Sequence, residues 1–207
     1  MTKKKAKYDD SDALFEAVKS AQNSRRYGAL KQLLAEGLNP DSSFANDHRR
    51  TLLFQYYLKE GAAKILLDAG ANASYVDENG YTPLHSANPE VAALLLRQGV
   101  DIESRNNSGR VTPLLAQAIR GDARMVKLLL HNGADVLASY DNHRRGVIEA
   151  AASSGEDGGR FRGRDEIFRL VETHVGRGLV KGTYTLKSLR DISGGPEAQQ
   201  KGEFDEV

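Results

Sequence analysis

The most informative stretch of the chain is Gly80-Tyr81-Thr82-Pro83-Leu84-His85-Ser86-Ala87. Threonine favours the position just before a helix, because its hydroxyl can accept a hydrogen bond from an amide of the first turn. Proline favours that first turn, where no amide donor is needed and its fixed φ already suits the helix. The order of residues therefore predicts a turn that ends at Tyr81 and a helix that begins at Pro83.

Similar markers recur on both sides of this stretch. Thr112-Pro113-Leu114-Leu115 is a second, near copy of the helix start. A leucine pair followed after two residues by glycine occurs four times, at Leu33-Leu34 with Gly37, Leu66-Leu67 with Gly70, Leu95-Leu96 with Gly99, and Leu129-Leu130 with Gly133. Apolar residues at helical spacing form a buried stripe, and glycine ends a helix by adopting a left-handed backbone without a side-chain clash. The pattern predicts repeated helical units.

A lone helix pair cannot bury both of its faces, so such units are stable when they stack as an array. In these motifs the chain resembles the ankyrin-repeat family, whose Thr-Pro-Leu-His-x-Ala signature recurs with a period of about 33 residues. The resemblance covers roughly residues 11–176. It implies an all-α ankyrin-repeat solenoid of about five helix pairs with β-turn fingers, and with atypical capping repeats at both ends.

The repeats are predicted near residues 11–41, 42–76, 77–106, 107–140 and 141–178, within a domain at 11–180. Residues 1–10 are predicted to form a disordered basic N-terminus, and residues 181–207 a largely flexible C-terminal tail in which 183–186 alternate like a strand. The third repeat is short, so Asn88-Pro89 is expected to cap its second helix directly. The fifth repeat carries an insertion at 153–164.

Composition narrows the classes of function. The 207 residues include no cysteine, which excludes disulfides and thiolate sites and favours a cytoplasmic location. The net charge of +1 gives no whole-molecule field for nucleic acid or an anionic membrane. The longest apolar run, residues 91–96, is too short to span a bilayer.

No pattern in the chain indicates catalysis. The five histidines include no pair at metal-ligand spacing, and the glycine-rich stretch at 154–164 lacks the Gly-Lys-Ser/Thr end of a phosphate loop. By resemblance, His85 has a structural role, hydrogen bonding between neighbouring inner helices. We therefore predict a protein that is not an enzyme, with no catalytic residue, metal, cofactor or small-molecule substrate.

The predicted fingers carry the partner-binding residues. Asn46-Asp47-His48-Arg49-Arg50 and Asp141-Asn142-His143-Arg144-Arg145 are nearly alike. By resemblance, finger tips and inner helices form a concave binding surface, and tyrosine and arginine are enriched at interface hot spots. The predicted partner-binding residues are Phe44, Arg49, Arg50, Tyr75, Arg105, Arg110, Tyr140, His143, Arg144 and Arg145. Tyr56 and Tyr57 are open to two interpretations, contact residues or filling for a shortened repeat.

These observations predict a non-enzymatic protein–protein interaction module that binds a partner protein of acidic or mixed charge through its concave face and inhibits or scaffolds it. A narrower hypothesis, by analogy with short stand-alone bacterial ankyrin proteins, is an immunity or antitoxin-type inhibitor of a toxin or effector. The alternative is a nucleic-acid-binding protein that uses the finger arginines and the Arg160–Arg164 loop, against which the net charge argues.

Overall fold

A computed structural model describes residues 10–24, 27–43, 47–139, 146–153 and 163–180. These residues belong to two compact units, one that ends at Ser108 and one that begins at Gly109. Of the N-terminal tail predicted at 1–10, residue 10 begins the first helix and residues 1–9 lie outside the described residues. The predicted tail at 181–207, with its strand-like 183–186, and most of the predicted insertion also lie outside them. No strand occurs in the described part of the chain, and the fold is all-α as predicted.

The described residues of the first unit form four α-helices and two single 3-10 turns. Helix α1 spans Asp10–Ser24 and α2 spans Gly28–Ala35. The 3-10 turn Leu52–Phe54 precedes α3 (Glu60–Asp68), and the 3-10 turn Pro83–His85 precedes α4 (Pro89–Arg97). The two 3-10 turns pack on each other, and α3 packs on α4, so like elements of successive repeats stack.

The second unit follows the same plan. Its helices are α5 (Pro113–Arg120), α6 (Ala123–His131), α7 (Val147–Ser153) and α8 (Arg164–Val180). Helix α5 packs on both its partner α6 and the next inner helix α7, and α6 packs on α8. Stacked helix pairs, predicted from the leucine and glycine pattern, are therefore confirmed in the second unit. In the first unit the repeats also stack, but the 3-10 turns Leu52–Phe54 and Pro83–His85 take the place of the predicted inner helices of the second and third repeats.

The predicted helix ends are confirmed at the leucine and glycine markers. Leu66, Leu95 and Leu129, one from each of three leucine pairs, are completely buried, and burying one leucine side chain contributes about 1.5–3 kcal/mol. Gly70 has φ of 92°, and its amide donates to the carbonyl of Leu67 at 2.9 Å. The glycine thus ends the helix in the left-handed conformation that side chains disfavour.

Hydrogen bonds tie each repeat of the first unit to the next. The Asp41 carboxylate accepts from the Asn72 amide at 2.9 Å. The amide of Glu78 donates to the carbonyl of His48 at 3.2 Å, and the Ser86 hydroxyl donates to the carbonyl of Phe54 at 2.9 Å. These bonds join loop to loop, so the fingers are fixed by their neighbours as well as by their own turns.

Asn88 caps its helix directly, as predicted, and also reaches back to the preceding repeat. Its Oδ1 accepts from the amide of Val91 at 3.0 Å in the first turn of α4. Its Nδ2 donates to the carbonyls of Tyr56 and Leu58, each at 2.7 Å. One side chain therefore both begins a helix and holds the turn that ends the previous 3-10 segment.

The three threonines that begin inner helices differ in how their hydroxyls are satisfied. The Thr112 oxygen accepts from the Leu115 amide at 3.4 Å, and the Thr82 hydroxyl lies 2.9 Å from Nδ1 of His85. The Thr51 hydroxyl is buried and has no hydrogen-bond partner among the described residues. A buried hydroxyl without a partner destabilises a fold by about 1–3 kcal/mol.

Replacing Thr51 by valine is therefore expected to raise the free energy of unfolding by about 1 kcal/mol, since the shape is kept and the unpaired hydroxyl is removed. Thr112→Val is the matched control, because it removes a working cap and is expected to lower the same quantity by about 1 kcal/mol. Urea denaturation followed by far-UV circular dichroism measures both. A loss of stability in Thr51→Val equal to that in Thr112→Val would contradict this account.

Candidate partner-binding surface

The finger at residues 47–50 is a tight turn with an unusual centre. The amide of Arg50 donates to the carbonyl of Asp47 at 2.9 Å. The two central residues, His48 and Arg49, have φ of 49° and 57°, so both are left-handed. Two consecutive left-handed residues define a type I′ turn, for which Asn-Gly is the usual sequence. Here the turn instead presents two exposed side chains that can bind a partner.

Arg50 faces inward. Its Nε donates to Oδ2 of Asp77 at 2.8 Å, and its guanidinium lies 5.8 Å from the ring centre of Phe54 and 5.5 Å from that of Tyr81. The Asp77 side chain is completely buried, and its Oδ1 accepts from the amides of Asn79 at 2.9 Å and Tyr81 at 2.8 Å. Arg50 therefore joins two neighbouring fingers through a shared carboxylate.

Arg49 faces outward. Its Nε lies 3.3 Å from Oε1 of Glu78, and the two side chains are 69% and 57% exposed. An ion pair so open to water contributes little to stability. A carboxylate from another molecule could therefore take the place of Glu78 at small cost.

Other predicted contact residues are spread over the described surface. Tyr75 is half-buried, with its ring edge-on to Phe54 at 6.3 Å, and the adjacent Val76 is exposed. Arg105 is exposed in the first unit, and Arg110, with φ of 56°, is exposed in the second. The remaining predicted residues lie outside the described residues: Phe44, Tyr140, His143, Arg144 and Arg145.

Tyr56 and Tyr57, which the sequence left open, form a second exposed turn. The amide of Leu58 donates to the carbonyl of Gln55 at 2.9 Å, which places the two tyrosines at the centre of the turn. Their side chains are 48% and 51% exposed, so they do not simply fill space. The pKa of the Tyr57 phenol is raised, first by its partial burial and then by the nearby carboxylate of Asp47. The tyrosine turn therefore lies within electrostatic reach of the finger at 47–50.

His85 serves the structure of its own repeat. Nδ1 of His85 accepts from the Thr82 amide at 3.1 Å, so this nitrogen carries no proton, and the buried ring packs edge-on against Tyr81. His131 is exposed at the end of α6. Within the described ranges, no three histidine or acidic side chains come together as a metal site. Over the same ranges, no helix is long and apolar enough to cross a membrane.

The sequence analysis did not identify the two acidic residues that bind the finger arginines. Asp77 and Glu78 bind Arg50 and Arg49, respectively. The signal was available, because the acidic pair follows the arginine pair by nearly one repeat. Stacked repeats bring residues at that spacing together.

Comparisons with known proteins agree with this architecture. A family model of three ankyrin-repeat copies matches residues 14–106, and a single ankyrin-repeat model matches residues 110–141. The helix pair α7 and α8 lies beyond both matches.

Similar sequences occur within much longer proteins. The chain is 36% identical over 117 residues to the mouse ankyrin repeat and SOCS box protein 6, an alignment of 54% of this chain and 28% of that protein. It is 40% identical over 105 residues to the human neurogenic locus notch homolog protein 2, covering 47% of this chain and 4% of that protein. It is 29% identical over 152 residues to alpha-latrotoxin-Lg1a of Latrodectus geometricus, covering 69% of this chain and 11% of that protein. The family matches and the stacked helix pairs together show that the chain belongs to the ankyrin-repeat family and is a module for protein–protein interaction.

Proposed function

We propose that this protein binds a partner protein through the finger surface of its first unit and inhibits that partner by covering its working surface. The finger surface consists of the exposed residues His48, Arg49, Val76 and Glu78 and the tyrosine turn, Tyr56 and Tyr57. The observation that carries the proposal is the open Arg49–Glu78 pair, 3.3 Å apart, in the same compact unit as two exposed tyrosines. Arginine and tyrosine are the residue types that dominate interface energetics.

The finger surface is suited to tight binding because it is held in place before a partner arrives. The Glu78 amide is bonded to the carbonyl of His48, and the buried Asp77 fixes Arg50 behind the tip. Asn88 fixes the tyrosine turn from the next repeat. Little conformational entropy is then lost on association, which increases affinity.

The guanidinium group of Arg49 favours a partner with exposed carboxylates. Arg49 already binds one carboxylate in water-exposed geometry, and arginine pairs with carboxylates through a planar fork. We extend the proposal to Arg105, Arg110, Tyr140, His143, Arg144 and Arg145 as further partner contacts. An acidic toxin or effector covered in this way would make the chain an immunity-type inhibitor.

Nucleic-acid binding is the weaker candidate. Arg49 and Arg50 are each paired with a carboxylate, so they add no net positive charge at the fingers of the first unit. Counterion release, the main source of nucleic-acid affinity, needs such charge.

The test captures partners on the immobilised chain and compares two variants. The double variant Arg49→Ser/Tyr57→Ser is expected to lose at least about 90% of the retained partner, since two hot-spot side chains are removed. Lys64→Ser, which removes an exposed cation from α3, is the matched control and should retain it.

The activity of the captured protein is then measured with and without this chain. Inhibition at equal molar amounts is expected. Equal retention by the double variant would show that binding occurs elsewhere, and full activity of the bound partner would show scaffolding instead of inhibition.

A further inference from the structure

Arginine twice occupies a finger position whose backbone favours glycine. The residue two positions before each helix-starting threonine is left-handed in all three described fingers that precede such a threonine: Gly80 with φ of 80°, Arg49 with 57° and Arg110 with 56°. Glycine adopts this conformation freely, whereas other side chains clash with the backbone, and asparagine, aspartate and histidine tolerate it best. Arginine is therefore an unfavourable choice at this position.

The same choice recurs in the sequence of the next finger. Gly146 lies directly before α7, as Thr112 lies directly before α5, and Arg144 lies two positions before Gly146. His143-Arg144 also repeats His48-Arg49. Residues 140–145 lie outside the described ranges, so only the sequence shows this recurrence of arginine.

The contacts of Arg49 give no structural reason for the choice. Its side chain is 69% exposed, and its ion pair with Glu78 is too open to offset the unfavourable backbone. Its neighbour His48 is left-handed as well, so the turn departs at both central positions from the Asn-Gly that suits it. An unfavourable conformation kept at an exposed tip indicates a functional side chain.

We infer that Arg49 in the first unit and Arg110 in the second are carboxylate-binding residues, each held at a left-handed finger tip where its guanidinium group can bind an exposed carboxylate of a partner protein. The inference rests on the proposed function, because it assumes that the partner is a protein. The ligand chemistry comes from Glu78, whose carboxylate lies 3.3 Å from Nε of Arg49 and occupies the place of a partner's carboxylate. Glu78 is thus a built-in competitor for the same guanidinium group.

The first measurement is thermal stability. Arg49→Gly and Arg110→Gly are each expected to raise Tm by about 2–4 °C, because glycine relieves the left-handed backbone. Arg49→Lys keeps the strain and should leave Tm unchanged. Arg105→Gly is the control for glycine itself, since the backbone of Arg105 is not left-handed, and it should not raise Tm.

The second measurement is fluorescence anisotropy with a labelled polyglutamate peptide at low salt. The double variant Arg49→Gly/Arg110→Gly is expected to bind about tenfold more weakly than the original chain. Glu78→Gln should bind about two- to threefold more tightly, because it releases Arg49. Asp68→Asn makes the same change of charge on the exposed end of α3 and should have a smaller effect.

The inference would be overturned by no rise of Tm in the glycine variants, or by a rise with unchanged affinity for polyglutamate. Tighter binding of duplex DNA than of polyglutamate, lost in the glycine variants, would assign the arginines to phosphate and also overturn it. Partner capture separates this inference from the proposed function. A partner retained by Arg49→Gly/Arg110→Gly but lost by Arg49→Ser/Tyr57→Ser would refute the inference and leave the proposed function standing.

Discussion

Changing Asp77 to alanine is expected to lower the free energy of unfolding of the first unit by about 3–4 kcal/mol. The completely buried carboxylate accepts three hydrogen bonds, one from Arg50 and two from the amides of Asn79 and Tyr81. Alanine removes all three and leaves the partly buried Arg50 guanidinium with only the more distant carboxylate of Asp47, 3.9 Å away. Because the carboxylate joins two fingers, the loss should weaken the junction between them.

Two variants separate the causes of that loss. Glu78→Ala, at the exposed neighbour, should change stability by no more than about 0.5 kcal/mol. Asp77→Asn keeps an oxygen that accepts from the backbone amides but turns its NH2 donor toward the Arg50 guanidinium. Its loss of stability should therefore lie between those of Asp77→Ala and Glu78→Ala. Urea denaturation gives the free energies, and hydrogen exchange of the 72–86 segment shows whether the finger junction opens first. Equal effects of Asp77→Ala and Glu78→Ala would refute the central role of the buried carboxylate.

Changing Gly80 to alanine is expected to lower the free energy of unfolding by about 2–4 kcal/mol. Two effects add. The backbone φ of 80° is unfavourable for alanine, and the added Cβ would lie 2.7 Å from the backbone nitrogen of Asn107. The Asn107 amide, which donates to the carbonyl of Asn79 at 2.9 Å, would have to move away.

Gly99→Ala is the matched control for this prediction. Gly99 has nearly the same φ, 76°, but nothing lies within 4 Å of the position that its Cβ would take. Gly99→Ala should therefore lower the free energy of unfolding only through the unfavourable backbone conformation, by about 1 kcal/mol. Urea denaturation of both variants gives the difference, which measures the close approach of the two fingers. Equal effects of the two substitutions would mean that the contact at Asn107 relaxes freely.

The helix boundaries could be predicted because local chemistry determines them. Thr82, Pro83 and Asn88 mark helix starts by their own hydrogen-bonding and φ preferences. The structure has an α-helix directly after Asn88, but the segment that begins at Pro83 is a single 3-10 turn and not a full helix. The leucine–glycine markers predict helix ends for the same reason, because glycine itself favours the left-handed backbone that ends a helix. The short 3-10 segment Leu52–Phe54 is harder to foresee, because its apolar residues equally suit a longer helix.

The binding surface could be predicted only in part, because it depends on which residues meet across repeats. Arg49 and Arg50 are identical in the sequence, yet the buried Asp77 binds one and the exposed Glu78 binds the other. Arginine has no preference for a left-handed backbone, so the sequence could not predict the conformation of Arg49. Tyr56 and Tyr57 are also ambiguous by residue type, because tyrosine occurs in cores and at interfaces alike.

The side chain of Asn88 limits how this protein can be recombined. Because Asn88 begins α4 within the third repeat and also donates to two carbonyls of the second repeat, these neighbouring repeats cannot be exchanged independently. In a chimera whose two parts join between Leu58 and Asn88, the side-chain amide of Asn88 would lose the two carbonyls that accept from it. The exception is a new segment that forms a turn of the same length before the junction. Exchange of repeats with another protein, in evolution or by engineering, should therefore succeed where residues 55–97 are transferred together.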